Sequence, residues 1–300
     1  MQAVKAELKL IMAMLIFGSI GIFVKAINLP SVEIVLLRTI IGSIFLAIIF
    51  LFTGQIMNIK AIIGNLPILI IVGIFLGGNW VFLFKAYNHT TVSIATLLYY
   101  SAPIMVFLLS PIIFKEKLTS HKIIGAIITI IGMVVINGIN SDGQGLSLGI
   151  IYGLLSALFY GLVMITNKFI KNLSGLESSF IQLLIAAIIM IIYTLSTSES
   201  ALQIPSGYDL IWVVILGVVH TGIACYLYFS SMQELPSQTI AIMSYIDPAS
   251  ALIFSAIFLG ERLSMIQILG ALMILGGTAY NQLYGGQTLT NDVKGLKESL

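Results

Sequence analysis

"SIATLLYYSAPIMVFLLSPIIFKEKLTSHKIIGAIITIIG", residues 93–132, lies on "QTIAIMSYIDPASALIFSAIFLGERLSMIQILGALMILGG", residues 238–277, without a gap at a shift of 145. Tyr100 falls on Tyr245, Pro103 on Pro248 and Ser110 on Ser255. Glu116-Lys117-Leu118 falls on Glu261-Arg262-Leu263, Gly125-Ala126 on Gly270-Ala271, and Gly132 on Gly277. Shifts of 143 and 144 register the earlier segments: Gly18 and Lys25 meet Gly161 and Lys168, and Glu33 meets Glu177. Apolar helices resemble one another by chance. A proline, a glutamate, several glycines and the loop residues matching in one register is a stronger signal.

Working outward from that pair, the rest of the chain is equally apolar. Hydrophobic residues make up 59% of the 300 and charged residues 9%, against about 45–50% and about 25% in an average soluble domain. Mean hydropathy is +1.09. So few charges cannot coat a soluble fold, which excludes a nucleic-acid binder and a secreted disulfide scaffold. The single cysteine, Cys225, cannot form an internal disulfide.

A membrane helix needs about 20 mostly apolar residues. Ten segments qualify: about 8–27, 31–53, 62–87, 91–114, 121–139, 147–169, 175–197, 209–232, 237–259 and 264–283. Strands of a membrane barrel would alternate apolar and polar residues, and runs such as "ILIIVGIF" do not. The fold class is therefore all-α integral membrane. The first segment is too long for a signal-peptide core and lacks a cleavage site. With the N-terminus inside, Lys5, Lys9, Lys60, Lys115, Lys117, Lys122, Lys168, Lys171, Lys294 and Lys297 face the cytosol. Lys25, Lys85 and Arg262 face outward, so both termini are expected in the cytosol of a cell whose inner membrane holds the chain.

Each half has five spans, so the halves cross the membrane in opposite directions. Residues 1–140 form the first five-helix repeat, 141–284 the inverted second, and 285–300 a polar tail. Inverted repeats around a midplane site are a recurring plan of secondary transporters. Two similar halves offer two similar packings, one opening a central cavity inward and one outward.

"FGSIGIFVK" in the first span, "EIVLLR" opening the second, and the doubled "P…E-[KR]-L…G-A" pattern resemble the EamA-type branch of the drug/metabolite transporter superfamily. The likeness covers about residues 5–283. It implies ten helices, two inverted repeats around a central cavity, cytosolic termini, and transport, often export, of amino acids, nucleosides, sugars or toxic organic compounds. The family often has Arg or another polar residue where this chain's second half pairs Gln182 with Arg38.

Ionisable groups inside a membrane cost roughly 2.5–3.5 kcal/mol at a helix centre, so they need a partner, water or a task. Asp247 is about ten residues, or about 15 Å, into the ninth span, at the midplane, and Pro248 after it kinks the helix. Pro248 frees a carbonyl near Ser244 or Tyr245, for which a wet cavity would supply the donor. The first half has Ala102 at the matching position, so packing of the repeat does not demand an acid. The bland role for Asp247 is capping the broken helix. His220 reaches the same depth from the eighth span, where a His–Asp pair would carry protons or hold an amine. A neutral His in a packed interface is the equal alternative. Ser93, Thr96, Tyr100, Pro103, Phe107 and Ser110 share one face of the fourth span. Buried tyrosine hydroxyls need partners, which favours Tyr100, its neighbour Tyr99, and Tyr245 as site residues. Asn79 and Trp80 in the third span and Tyr226 and Tyr228 in the eighth complete the set, aromatic rings near a carboxylate suiting amines. Arg38 is read as snorkelling or paired with Glu33, Lys25, Lys85 and Lys168 as snorkelling, and Glu116-Lys117 as orienting its own turn.

The expected function is secondary transport of small organic metabolites, with export of amino acids or related amines foremost and protons the candidate coupling ion. A passive facilitator is the alternative. An intramembrane enzyme is disfavoured: there is no H-E-x-x-H and no acidic pair at metal spacing, and "GLSLG" at 145–149 has no strand before it. Without a phosphate-binding loop, ATP is not the direct energy source. Neither cofactor nor nucleic acid is expected; the partners are the bilayer and a small-molecule substrate, in a monomer or homodimer.

Overall fold

The apolar runs coil because a backbone in hydrocarbon must satisfy its hydrogen bonds within the segment. The computed structural model describes residues 2–53, 57–89, 98–137, 148–197, 203, 205–260 and 264–285. All regular structure among these is helical: α1 (Gln2–Lys25), α2 (Ser31–Thr53), α3 (Ile59–His89), α4 (Ala102–Phe114), α5 (Ser120–Asn137), α6 (Leu148–Asn167) and α7 (Gly175–Thr197). Then α8 (Tyr208–Ile215) runs through a π-helical stretch, Leu216–Ile223, into α9 (Ala224–Glu234). The chain closes with α10 (Ser237–Met243), α11 (Ile246–Leu259) and α12 (Met265–Gly285). Seven stretches among the described residues are long and apolar enough to cross a membrane, and Ser101–Phe114, Ser120–Val135 and Ile268–Asn281 are shorter apolar helices. The tail after Gly285 and most of the 138–147 and 198–204 links lie outside the described residues.

Large apolar side chains cover the outside: Leu51 is 82% exposed, Phe52 86% and Ile112 78%. Such a surface suits lipid. The polar residues turn inward, among them Arg38, Asn79, Ser156, Gln182, His220 and Gln238.

Contacts recur at the offset seen in the sequence. Helix α1 packs on α9 and α11, and α6 packs on α3 and α4. Helices α5 and α12 cross through matched glycines. A Cβ on Gly125 would sit 3.0 Å from the Gly277 carbonyl, one on Gly277 2.8 Å from the Gly125 carbonyl, and one on Gly132 2.7 Å from the Gly270 carbonyl. The Gly73 and Gly77 steps of α3 likewise admit Ile185 and Ile189 of α7.

Loops are tied across the halves. A Glu177 carboxylate oxygen accepts the Asn58 N–H at 2.6 Å, and Glu33 accepts the Gln203 N–H at 3.3 Å. Glu116 departs from the expectation. Instead of orienting its own turn it accepts the Ser237 and Gln238 N–H groups at 2.8 and 3.1 Å, the free donors at the start of α10. Lys122 donates to the Gln238 side-chain oxygen at 2.8 Å, and Lys9 pairs with Glu234 at 2.7 Å. Lys168 does not snorkel: its ammonium donates to the Met232 and Leu235 carbonyls that close α9. Lys85 lies over the rings of Tyr152 and Tyr193, at 5.6 and 5.9 Å.

Candidate functional site

Two helix breaks define the centre. In a regular helix the Ser244 carbonyl would accept the N–H of residue 248, which proline lacks. The helix stops at Met243 and restarts at Ile246. The freed Ser244 carbonyl takes the Asp247 N–H at 3.3 Å, a tight three-residue bond, so no water is needed to satisfy it. The first half breaks at Tyr100 and Ser101, again just before a proline, Pro103. There the Ser101 N–H bonds the Leu98 carbonyl at 3.0 Å.

The breaks interlock. The Tyr245 hydroxyl donates to the Tyr100 carbonyl at 2.7 Å, and the Tyr100 phenol lies next to the Asp247 carboxylate. Asp247 keeps some accessible surface, although Tyr245, Ile246, Pro248 and Ala249 around it are buried. Helix α1 approaches closely here. A Cβ on Gly18 would sit 2.8 Å from the Asp247 carbonyl and 2.9 Å from the Ala251 nitrogen.

Aromatic rings cluster here. Tyr99 stacks on Tyr160 of α6, centroids 5.0 Å apart and planes 3° from parallel, and meets Tyr100 edge-on at 5.1 Å. The Tyr160 and Tyr228 hydroxyls lie 2.8 Å apart, and Phe17 of α1 packs edge-on against Tyr228 at 5.9 Å. Ser244 at the break gives its hydroxyl proton to the Ile240 carbonyl at 2.8 Å.

The π-helical stretch carries a second polar group. Widening one helical turn turns His220 and Thr221 toward α1 and α2. Ser19 gives its hydroxyl proton to the Ile16 carbonyl at 2.7 Å, so its oxygen accepts from His220 Nε2 at 2.9 Å. The His220 ring sits edge-on to Phe23 at 4.7 Å. The expected His–Asp pair is therefore not formed: His220 is engaged by α1, and Asp247 lies beside Tyr100 at the break before α4. The expected Arg38–Glu33 pair is also absent. Five residues at 100° each leave the two side chains 140° apart on α2. Arg38 instead donates Nε to Thr221 at 3.0 Å and lies over the Trp80 ring at 5.3 Å.

Of the sequence-predicted residues, the structure brings Tyr99, Tyr100, Tyr228, Tyr245 and Asp247 together. It sets Trp80 and His220 near Arg38. Asn79 is spent on α6, its amide donating to the Ser156 carbonyl at 2.9 Å and hydroxyl at 3.0 Å. Tyr226 packs against the hydrophobic core. Thr96 lies outside the described residues. Sequence reading missed Tyr160, Ser19 and Ser244. Tyr160 had a usable signal, a phenol in mid-helix whose hydroxyl needs a partner.

Comparison with known proteins agrees with this architecture. The model of the EamA-like transporter family matches the chain twice, over residues 4–138 and 147–281. An uncharacterized transporter of Bacillus subtilis (strain 168) is 37% identical over 277 residues, covering 91% of this chain and 88% of the relative. An uncharacterized transporter of Archaeoglobus fulgidus is 24% identical over 273 residues, covering 90% and 94%. A crystal structure with 20% sequence identity shares the fold at a TM-score of 0.82, covering 93% of this chain and 97% of its own. Two family matches that together span nearly the whole chain leave one assignment: this is a multi-pass membrane protein that belongs to the EamA-like transporter family.

Proposed function

We propose that the chain is a secondary transporter of ten spans in two inverted repeats, residues 1–140 and 141–284, moving small organic solutes by alternating access. Amino acids and related amines are the substrate class, export the direction, and the cytoplasmic membrane the location, with both termini in the cytosol. The observation that carries this reading is Asp247. It is a partly accessible carboxylate at a helix break, in a cluster with Tyr99, Tyr100, Tyr160 and Tyr228. A desolvated carboxylate flanked by aromatic faces suits an organic ammonium, or a proton exchanged for it. The matched helix breaks before Pro103 and Pro248, joined by the Tyr245–Tyr100 bond, are where such a rearrangement would turn.

Purified protein in liposomes, given amino acids and amines with and without a pH gradient, tests the reading. Asp247→Asn preserves shape and loses charge. It should cut uptake of cationic and zwitterionic solutes by tenfold or more while inserting and purifying as wild type does. Full wild-type rates for Asp247→Asn at every pH would remove the carboxylate from the site. For topology, cysteines introduced at 141–145 and 199–207 should react with an impermeant reagent from outside, and those at 54–60 and 115–120 should not. The opposite labelling pattern would contradict the inverted arrangement.

A further inference from the structure

Arg38 is a cation in the interior of the bundle whose terminal edge is not used by any of the described residues. It is 9% exposed. Its Nε is fixed by Thr221, whose own hydroxyl proton goes to the Leu216 carbonyl at 3.0 Å across the π-helical turn. That leaves the threonine oxygen only lone pairs to offer the guanidinium. The Trp80 ring covers one face at 5.3 Å. Among the described residues no carboxylate meets Arg38, and its terminal nitrogens donate to none of them. Nor are those nitrogens among the enclosed polar atoms left without a partner. The free edge of the fork therefore retains a little accessible surface, near Tyr99.

The other half shows that packing does not require this cation. Gln182, at the matching position on α7, is fully buried and fully employed. Its amide donates to Asn167 at 2.9 Å and Ser178 at 2.7 Å, and its oxygen accepts from Asn167 at 3.1 Å. A neutral, satisfied side chain serves the fold there. A guanidinium with an open planar edge, oriented at Nε and on one face, has the form of a site for a planar anion.

We infer that Arg38 is the anion-recognition residue of the central space, and that its ligand class is an organic carboxylate. One guanidinium balances one negative charge, and its two terminal nitrogens match the two oxygens of a carboxylate. Arg38 lies beside Tyr99, whose ring stacks on Tyr160, and Tyr160 in turn lies in the field of Asp247. Opposite charges thus bracket one aromatic stack. A solute with a carboxylate at one end, and an apolar or cationic remainder, would find a partner for each end. This deepens the transporter reading by giving the substrate its anionic end.

Calorimetric binding to purified protein, with 3-phenylpropionate, phenylalanine, phenethylamine and inorganic phosphate as probes, tests the site. Arg38→Gln should lower the affinity for the two carboxylates relative to phenethylamine by at least tenfold. Arg38→Lys, which keeps the charge and loses the fork, should fall between Arg38→Gln and wild type, and carries the test alone should Arg38→Gln fail to purify as a monodisperse species. Phosphate should bind wild type no more tightly than the variants. Carboxylate affinities that are unchanged in both variants, or undetectable in wild type, overturn the inference. So does phosphate outcompeting the carboxylates at Arg38. Liposome uptake of the same probes separates the two claims. Carboxylates that bind through Arg38 but are never carried would sink transport and keep the site. Amines carried without any carboxylate binding would do the reverse.

Discussion

The two halves share their scaffold and differ in their charges. Matched positions that build the bundle are alike: Gly125 and Gly270, Gly132 and Gly277, Glu33 and Glu177, and the breaks before Pro103 and Pro248. Two matched interior positions are not: Arg38 stands against Gln182, and Asp247 against Ala102. A duplicated fold needs the same close approaches and loop ties twice. A solute with distinct ends needs each end recognised once. Symmetry therefore marks residues that hold the protein together, and its failure at buried polar positions marks residues with chemistry.

The sharpest way to break this comparison is to install the acid where the repeat lacks it. Ala102 is fully buried, whereas Asp247 has some accessible surface and a tyrosine beside it. Ala102→Asp places a carboxyl in a dry, packed site, which costs several kcal/mol without a compensating bond. The expected result is loss of monodisperse protein on purification. An Ala102→Asp variant that purifies and melts as wild type does would mean that the two breaks have equivalent surroundings.

A gentler contrast lies at the glycines of α1 and α6. A Cβ on Gly18 meets backbone at 2.8 and 2.9 Å, while one on Gly161 meets only the Ala102 carbonyl and Val106 at 3.7 Å. Gly18→Ala should destabilise by about 1–3 kcal/mol through overpacking and displace the Asp247 break, lowering both melting temperature and uptake. Gly161→Ala should be neutral in both. Equal melting temperatures would show that the two helix contacts are equally tight.

Much of the fold was legible because bilayer thickness and a fixed repeat offset are linear signals. Pro248 located the break between α10 and α11 to within one turn. The site was only partly legible. Tyr100 and Tyr245 follow from their position beside the breaks. The bond between them does not, since it depends on how α4 and α10–α11 meet. Arg38 was misread because Glu33 is its nearest acid in sequence, whereas helical geometry turns the two apart. The π-helical turn that aims Thr221 at Arg38 leaves no pattern in the residue order. Tyr160 was passed over as an isolated phenol in an apolar helix, and only the packing of α6 on α4 brings it to Tyr99.

The smallest effect concerns the paired glutamates, where the scaffold symmetry is itself inexact. Glu177 accepts the Asn58 N–H at 2.6 Å and the Ser174 N–H at 2.8 Å, so it ties a loop of the other half and the start of its own helix together. Glu33 accepts one N–H, from Gln203, at 3.3 Å. A hydrogen bond to a charged acceptor contributes about 1.5–3 kcal/mol, less when long or exposed. Glu177→Gln keeps one acceptor oxygen and loses the second, with its charge, so it should lower stability by about 1–2 kcal/mol. Glu33→Gln retains the single acceptor it needs and should cost about 0.5 kcal/mol or less. Thermal unfolding of the two variants in one detergent gives the order directly. A larger loss for Glu33→Gln would mean that the tie at Gln203 bears more of the fold than its length indicates, and that the symmetry-matched glutamates have exchanged roles.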